Sequence, residues 1–225
     1  QIRNINTSSA QKVRGVRAIV TGKDNPGLYG SSMMDRPVVA VKKCRFQGEA
    51  VAAVAAECDD SAMEALEQIH VEYEELPGVY DPETAVSAVA PKIHEEMMTY
   101  QRDKGCLPVK GTNICHHFRL RHGDIEEAFS KAHTIFEDRY TSHAVHHAPL
   151  EVHAAMAQMS GERLSVWTHN DAPYRCRREL AGTFRLPMTQ LRIISLPMGG
   201  GFGGKGGLNA ESIAALLALH VEGRP

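Results

Sequence analysis

The stretch PMGGGFGGKGG, residues 197–207, constrains this chain more than any other feature, because seven of its eleven residues are glycine. It lies between a β-like run, LRIISL (191–196), and a helix-like run, NAESIAALLALH (209–220). Glycine loses the most conformational freedom on folding and packs no side chain. A strip this bare implies backbone angles closed to other residues, or another group that comes very close to the main chain.

Three devices place glycines between a strand and a helix. Gly199-x-x-x-x-Gly204-Lys205 matches most of a phosphate-binding P-loop, but Gly206 stands where Ser or Thr would hold Mg²⁺. Gly201-x-Gly203-x-x-Gly206 matches the dinucleotide fingerprint. That fingerprint belongs in the first βα turn, with a ribose-binding acid roughly 20 residues on. Here it comes late, with no room for the acid. A strip that only packs is the alternative to any such device, and seven glycines argue against it; the third device rests on a resemblance given below.

A chain of 225 residues makes one large domain or two small ones. With 43% apolar and 23% charged residues it has the composition of a globular protein. A formal net charge of -2 gives no electrostatic footprint for nucleic acid or a membrane surface. The longest apolar runs, VAAVAA (51–56) and IAALLAL (213–219), are too short to span a bilayer. Cys44, Cys58, Cys106, Cys115 and Cys176 are odd in number, scattered and free of any CxxC pair. This argues against a disulfide scaffold, a zinc ribbon or an iron–sulfur cluster inside the chain, and for free thiols in a reducing, cytoplasmic setting. The chain opens on Gln1 and closes at GRP just after a helix begins to pack, so it is expected to be an N- and C-terminally incomplete piece of a longer polypeptide.

Local patterns predict strands at 14–20, 38–43, 51–57 and 71–76, with VAAVAAE (51–57) covered on both faces. DDSAMEALEQI (59–69) reads as a helix capped by Asp and Ser, with Ala62, Ala65, Leu66 and Ile69 on one face. Residues 38–76 would then form a β–β–α–β unit. Residues 77–117 are broken by Pro and Gly and read as a linker. A helix over 123–132 has Asp124 at its cap and Glu127 three residues on. Strands follow at 133–143 and 163–169, with Trp167 in the core. A helix over 171–184 has Asp171 at its cap and Pro173 in its first turn. After the strand at 191–196 and the glycines, a last helix starts at Asn209, with Glu211 facing its dipole, and runs to the GRP end.

GGGFGGK (199–205) after a strand and before an Ala-rich helix resembles the molybdenum hydroxylases: xanthine dehydrogenase, aldehyde oxidase and their bacterial relatives. The likeness runs along the chain. RFQGEAVAAVAAE (45–57) and IHVEYEELPGVYDPETA (69–85) resemble the α/β hammerhead, and GDIEEAFSKAHTIFEDRYTSHAVHHAPLEVHAAMA (123–157) resembles the start of the molybdopterin-binding domain. It implies an α+β fold: a hammerhead at 1–77, a linker at 78–117, and the first part of a molybdopterin-binding domain at 118–225. It implies a molybdopterin cofactor whose metal is held by the pterin dithiolene, with no protein metal ligand. Successive backbone N–H groups make an anion-binding concavity that Cβ atoms would block. Gly200, Gly201, Phe202, Gly203 and Gly204 would lie at the cofactor, with Phe202 and Gly206 at the substrate pocket. The implied partners are the remainder of the molybdenum subunit, 2Fe-2S and FAD domains or subunits, and a small substrate, an N-heterocycle or aldehyde oxidised with water oxygen. A non-catalytic accessory paralogue is the alternative.

The sequence departs from the family pattern in three places. The Glu that bonds purine in xanthine-oxidising members is replaced by Gly206. HAVHHAPLE (143–151), around Val145, lacks the Gln that many members carry before Glu151. The general base of the family, a Glu late in the molybdenum domain, has no counterpart here. No residue of this chain is therefore expected to be catalytic, and the chain alone is expected to be inactive. His143, His146, His147 and His153 invite a zinc site, but alternate faces of a strand do not converge on one ion, and residues lining the cofactor approach or simply packed are preferred. His116 and His117 are expected in solvent. Lys205 is expected to pair with a carboxylate or face water. Glu151 is expected to be buried and paired, with catalysis the lesser alternative.

Overall fold

The computed structural model describes residues 1–221. Its first half is built from antiparallel pairs. β1 (Ile2–Asn6) pairs with β6 (His70–Tyr73), β2 (Val16–Thr21) with β5 (Ala52–Ala56), and β3 (Leu28–Tyr29) with β4 (Arg36–Pro37). Ile19 faces Val54 across the second pair. Helix α1 (Asp59–Glu67) packs on β5 through Ala65, while Leu66 is exposed. The cap of α1 is Cys58, which makes no side-chain bond to the helix backbone.

Several expectations are corrected here. Residues 38–43 form no strand. Val38 N–H donates to Asn25 Oδ1, Ala40 N–H to Ala50 O, and Lys42 O accepts from Ile2 N–H. Three different partners satisfy the backbone where one ladder was expected, so Val38, Val39 and Ala40 are buried without being in a sheet. The β–β–α–β unit over 38–76 is therefore replaced by two pairs, β2–β5 and β1–β6, and β1 had no signal strong enough to be foreseen. The strand at 71–76 stops at Tyr73, and β5 is half-buried along its length rather than covered on both faces.

Residues 82–85 form a short α2 (Pro82–Ala85), capped by Asp81, whose carboxylate accepts from Thr84 N–H. Met97, Tyr100 and Cys106 from this stretch pack against Met33. Helix α3 (Ile125–Lys131) forms as expected, with Asp124 Oδ1 accepting from Glu127 N–H at 3.0 Å. The expected strand at 133–143 is absent. The segment forms no regular element, Phe136 and Tyr140 are in solvent, and no described strand pairs with it.

The second half is organised by a three-stranded sheet, β7 (Ala155–Ser160), β8 (Arg163–Thr168) and β9 (Leu191–Ser195). β7–β8 is an antiparallel hairpin, and β8–β9 is parallel, joined through α4 (Pro173–Phe184). Leu164, Val166 and Thr168 alternate inward on β8, and Trp167 on the other face is only half-buried, not core. Helix α5 (Ala210–Ala218) follows the glycine strip, with Asn209 at its cap. Its sequence-based extension to the GRP end lies outside the described residues. The core joins Leu164, Val166, Leu180, Leu191 and Ala215. Each fully buried leucine contributes about 1.5–3 kcal/mol. Leu216 on α5 meets Val20, Val38 and Val39, which fastens the two halves together. Cys176 is fully buried, and burial pushes its thiol pKa well up, so it is an inert core residue. Among the described residues the five cysteines are free, and no helix is long and apolar enough to cross a membrane.

Candidate functional site

β8 and β9 are parallel, so their carboxyl ends deliver two loops, 169–172 and 196–209, to the same side of the sheet. Crevices at such ends are the usual binding places of open α/β sheets. Residues just beyond β8 tie down the glycine strip. Asp171 N–H donates to Lys205 O at 3.2 Å and Asn170 Nδ2 to Gly207 O at 2.9 Å. Asn209 Nδ2 reaches Gly204 O at 3.3 Å, and Gly204 N–H closes a turn on Gly201 O at 2.8 Å.

Glu151 holds the strip at both ends. Its Oε2 accepts from Gly199 N–H at 2.9 Å and from Lys205 Nζ at 2.7 Å. Lys205 is 2% exposed, so its ammonium depends on this partner. His169 Nδ1 lies 2.6 Å from Glu151 Oε1 and 3.0 Å from Pro197 O. Both neighbours are acceptors, which assigns the ring proton to Nδ1. The Lys205 ammonium, followed by the Gly199 amide, holds the Glu151 carboxyl below the usual glutamate range. Glu151 is paired as expected but only partly buried.

Between these anchors the strip is an arc. Gly200 has φ 99°, Phe202 φ 50° and Gly203 φ 83°. Left-handed φ at a phenylalanine costs about 1 kcal/mol, a strain that clusters at binding sites. Phe202 is 74% exposed, so it is not an ordinary core aromatic. Among the described residues, the amides of Gly200, Gly201, Phe202 and Gly203 donate to no protein acceptor. A Cβ at Gly199 would lie 2.8 Å from Glu151 Cβ, and one at Gly204 3.1 Å from His147 Cγ. A Cβ at Gly206 would lie 3.0 Å from Asp171 Oδ1. The protein's own packing thus requires glycine at 199 and leaves little room at 204 and 206, whereas Gly203 has nothing within 4 Å of that position.

Gly203, Gly204 and Gly206 border a cleft of about 780 Å³ whose opposite wall is the 29–36 loop of the first half. Arg36, Arg175 and His147 also line it. Phe202 lies outside that lining, which separates the two residues expected to share a substrate pocket. His143, His146, His147 and His153 are all exposed, and among the described residues no three His, Cys, Asp or Glu side chains converge as a metal site. Of the four, His147 faces the strip. His116 and His117 are exposed, as expected.

Sequence reasoning missed the buried members of the site. Glu211, expected to be a dipole partner of α5, is 4% exposed and accepts from Thr168 Oγ1 (2.6 Å), Asn170 Nδ2 (3.0 Å) and Asn209 N–H (2.8 Å). Its spacing with Ala215 and Ala218, on the stripe of α5 that faces the core, was the available signal. Asp171 is not the cap of α4; the cap residue is Ala172, whose N–H donates to Asn170 Oδ1. The two nucleotide-loop alternatives also fail. Lys205 turns inward to Glu151, and α5 begins only at Ala210, so neither Lys205 nor Gly206 sits at a helix N-terminus as those loops require.

The arc fits a bulky anionic group. It offers unpaired amide donors with no side chain at positions 200, 201 and 203, and the Glu151 carboxylate at its base is already neutralised by Lys205, while the Asp171 carboxylate stands on the side of Gly201 and Gly206.

Comparison with known proteins bears on the same segments. The molybdopterin cofactor-binding domain family matches residues 108–225, and the aldehyde oxidase and xanthine dehydrogenase a/b hammerhead domain matches residues 1–77. The chain belongs to this family of molybdenum hydroxylases, as an α+β hammerhead followed by molybdopterin-binding sequence. It is 38% identical to a probable xanthine dehydrogenase subunit of Bacillus subtilis, over 100% of this chain and 28% of that protein. It is 33% identical to the nicotinate dehydrogenase large molybdopterin subunit of Eubacterium barkeri, over 99% of this chain and 49% of that protein. The solved structure of reconstituted CO dehydrogenase from Oligotropha carboxidovorans superposes with TM-score 0.83 at 31% identity, over 98% of this chain and 29% of that one. The chain therefore spans less than half the length of these relatives.

Proposed function

We propose that this chain forms part of a molybdopterin-dependent hydroxylase that oxidises an N-heterocycle or an aldehyde with oxygen from water. The observation that carries the reading is the arc of unpaired amides at Gly200, Gly201, Phe202 and Gly203. In this reading those residues and Gly204 hold the metal end of the cofactor, with Phe202 on the substrate side and Gly206 at the rim of the adjoining cleft. When bound, the cofactor supplies the two-electron oxidation of an electron-poor carbon. The chain's own part is binding and orientation: amides donate to the anion, and Phe202 excludes water beside it.

Glu151 is not a general base in this reading, because its two oxygens already accept from Lys205, Gly199 and His169. The base belongs to another part of the molybdenum subunit, and this chain alone is inactive. Electrons leave through 2Fe-2S and FAD groups on other domains or subunits of a cytoplasmic assembly. We assign 1–77 to the hammerhead, 78–117 to the connection and 118–225 to the cofactor domain. Gly206 offers no carboxylate to a purine, which places xanthine below other heterocycles and aldehydes, since a site discriminates by groups left unpaired in the wrong substrate.

Elemental analysis of the intact native assembly tests the reading. Stoichiometric molybdenum supports it. An assembly of normal mass with no molybdenum overturns it in favour of an accessory paralogue.

A further inference from the structure

We propose that Glu151 and Lys205 are a positioning pair that sets the curvature of the glycine arc, and with it the aim of the four free amides. The inference deepens the cofactor reading and rests on it. Gly199 and Lys205 are the two feet of the arc, and one carboxylate oxygen of Glu151 receives both, at 2.9 and 2.7 Å. The other oxygen is engaged by His169 at 2.6 Å, which fixes the carboxylate plane against the end of β8. A strip with seven glycines has little stiffness of its own. Its shape must come from where it is fastened. The fastenings from Asn170, Asp171 and Asn209 all fall on its far half, at Gly204, Lys205 and Gly207. The near half, Gly199 to Gly203, is held to the rest of the protein by Glu151 through Gly199 N–H.

The chemistry of the pair suits this task better than a direct role at the anion. Lys205 is buried and its ammonium is bonded to Glu151, so its charge is taken up there. A free lysine beside an anionic cofactor would make a second point of attachment with a flexible stem. Here the cation fixes the carboxylate, and the carboxylate fixes the amides, which is how outer groups orient the donors that touch a metal centre.

The test uses the native assembly with E151Q, K205M and the double variant E151Q/K205M. K205M fills the buried slot with an unbranched apolar side chain and leaves Glu151 to water, so it keeps the fold accessible if E151Q does not. Molybdenum is measured per folded assembly recovered by size exclusion, and the Mo(V) EPR spectrum is recorded on whatever metal remains. Each single variant should hold about tenfold less molybdenum per folded assembly, with a shifted EPR spectrum in the residual fraction. The double variant should be no worse than either single, since both substitutions release the same arc. Folded variants that keep wild-type molybdenum and an unshifted spectrum overturn the positioning role while leaving the cofactor reading intact. A wild-type assembly without molybdenum overturns the cofactor reading itself.

Discussion

Thr168 Oγ1 donates to Glu211 Oε1 at 2.6 Å, and both residues are almost wholly buried although 43 positions separate them. This bond joins the last residue of β8 to the first turn of α5, across the base of the glycine strip. Asn170 and Asn209 complete the set of donors to the same carboxylate.

Removing that carboxylate leaves the buried Thr168 hydroxyl and the half-buried Asn209 N–H without their acceptor, and Asn170 Nδ2 with Gly207 O alone. Glu211→Ala should cost about 3 kcal/mol, and Thr168→Val about 1 kcal/mol, because the first strands several groups and the second removes only one. Denaturant unfolding of the two variants checks the order and the size. A Glu211→Ala change within about 0.5 kcal/mol of wild type would show that the network carries little stability.

Gly203 and Gly105 both have open space where a Cβ would go, but only Gly203 has a left-handed φ, at 83°. Gly203→Ala should therefore destabilise by about 1 kcal/mol through backbone strain alone. Gly105→Ala should be neutral or slightly stabilising, because it narrows the unfolded ensemble without strain. Unfolding midpoints of both variants decide it, and equal effects at the two positions would sink the assignment of strain to the arc.

The Lys205 ammonium holds the pKa of Glu151 below its ordinary value in the folded protein. A depressed folded value means that ionised Glu151 contributes its stabilisation in full above the unfolded-state pKa. That contribution fades as pH falls through the lower, folded value. Wild type should thus lose stability on acidification through this range more steeply than E151Q. Thermal unfolding from neutral to acidic pH measures it, and parallel curves for the two proteins would contradict the coupling.

Local pattern was a reliable guide where one element explains itself. RLSVWT was read as a strand and forms β8, the helix expected over 171–184 forms as α4 although its cap is Ala172 and not Asp171, and the Asp124–Glu127 spacing gave α3. It misled where the partner of a segment is remote. VVAVKK has the composition of a strand but bonds to Asn25, Ala50 and Ile2 one residue at a time. HTIFEDRYTSH has strand-like residues and no described strand beside it. β-propensity describes fitness for a half-buried sheet surface, and it does not supply the neighbouring strand.

By itself the sequence determined that a bare, glycine-rich backbone lies between a strand and a helix, and through ordered likeness along its length it determined the family. Both are local or linear properties, set by which residues follow which. Tertiary structure decided that Glu151 would clasp Gly199 and Lys205, that Lys205 would turn inward, and that Glu211 would be a buried acceptor rather than a surface charge. Those contacts bring together residues about 40 to 55 positions apart. They depend on the desolvation of specific charges in a packed interior, which no window of sequence expresses.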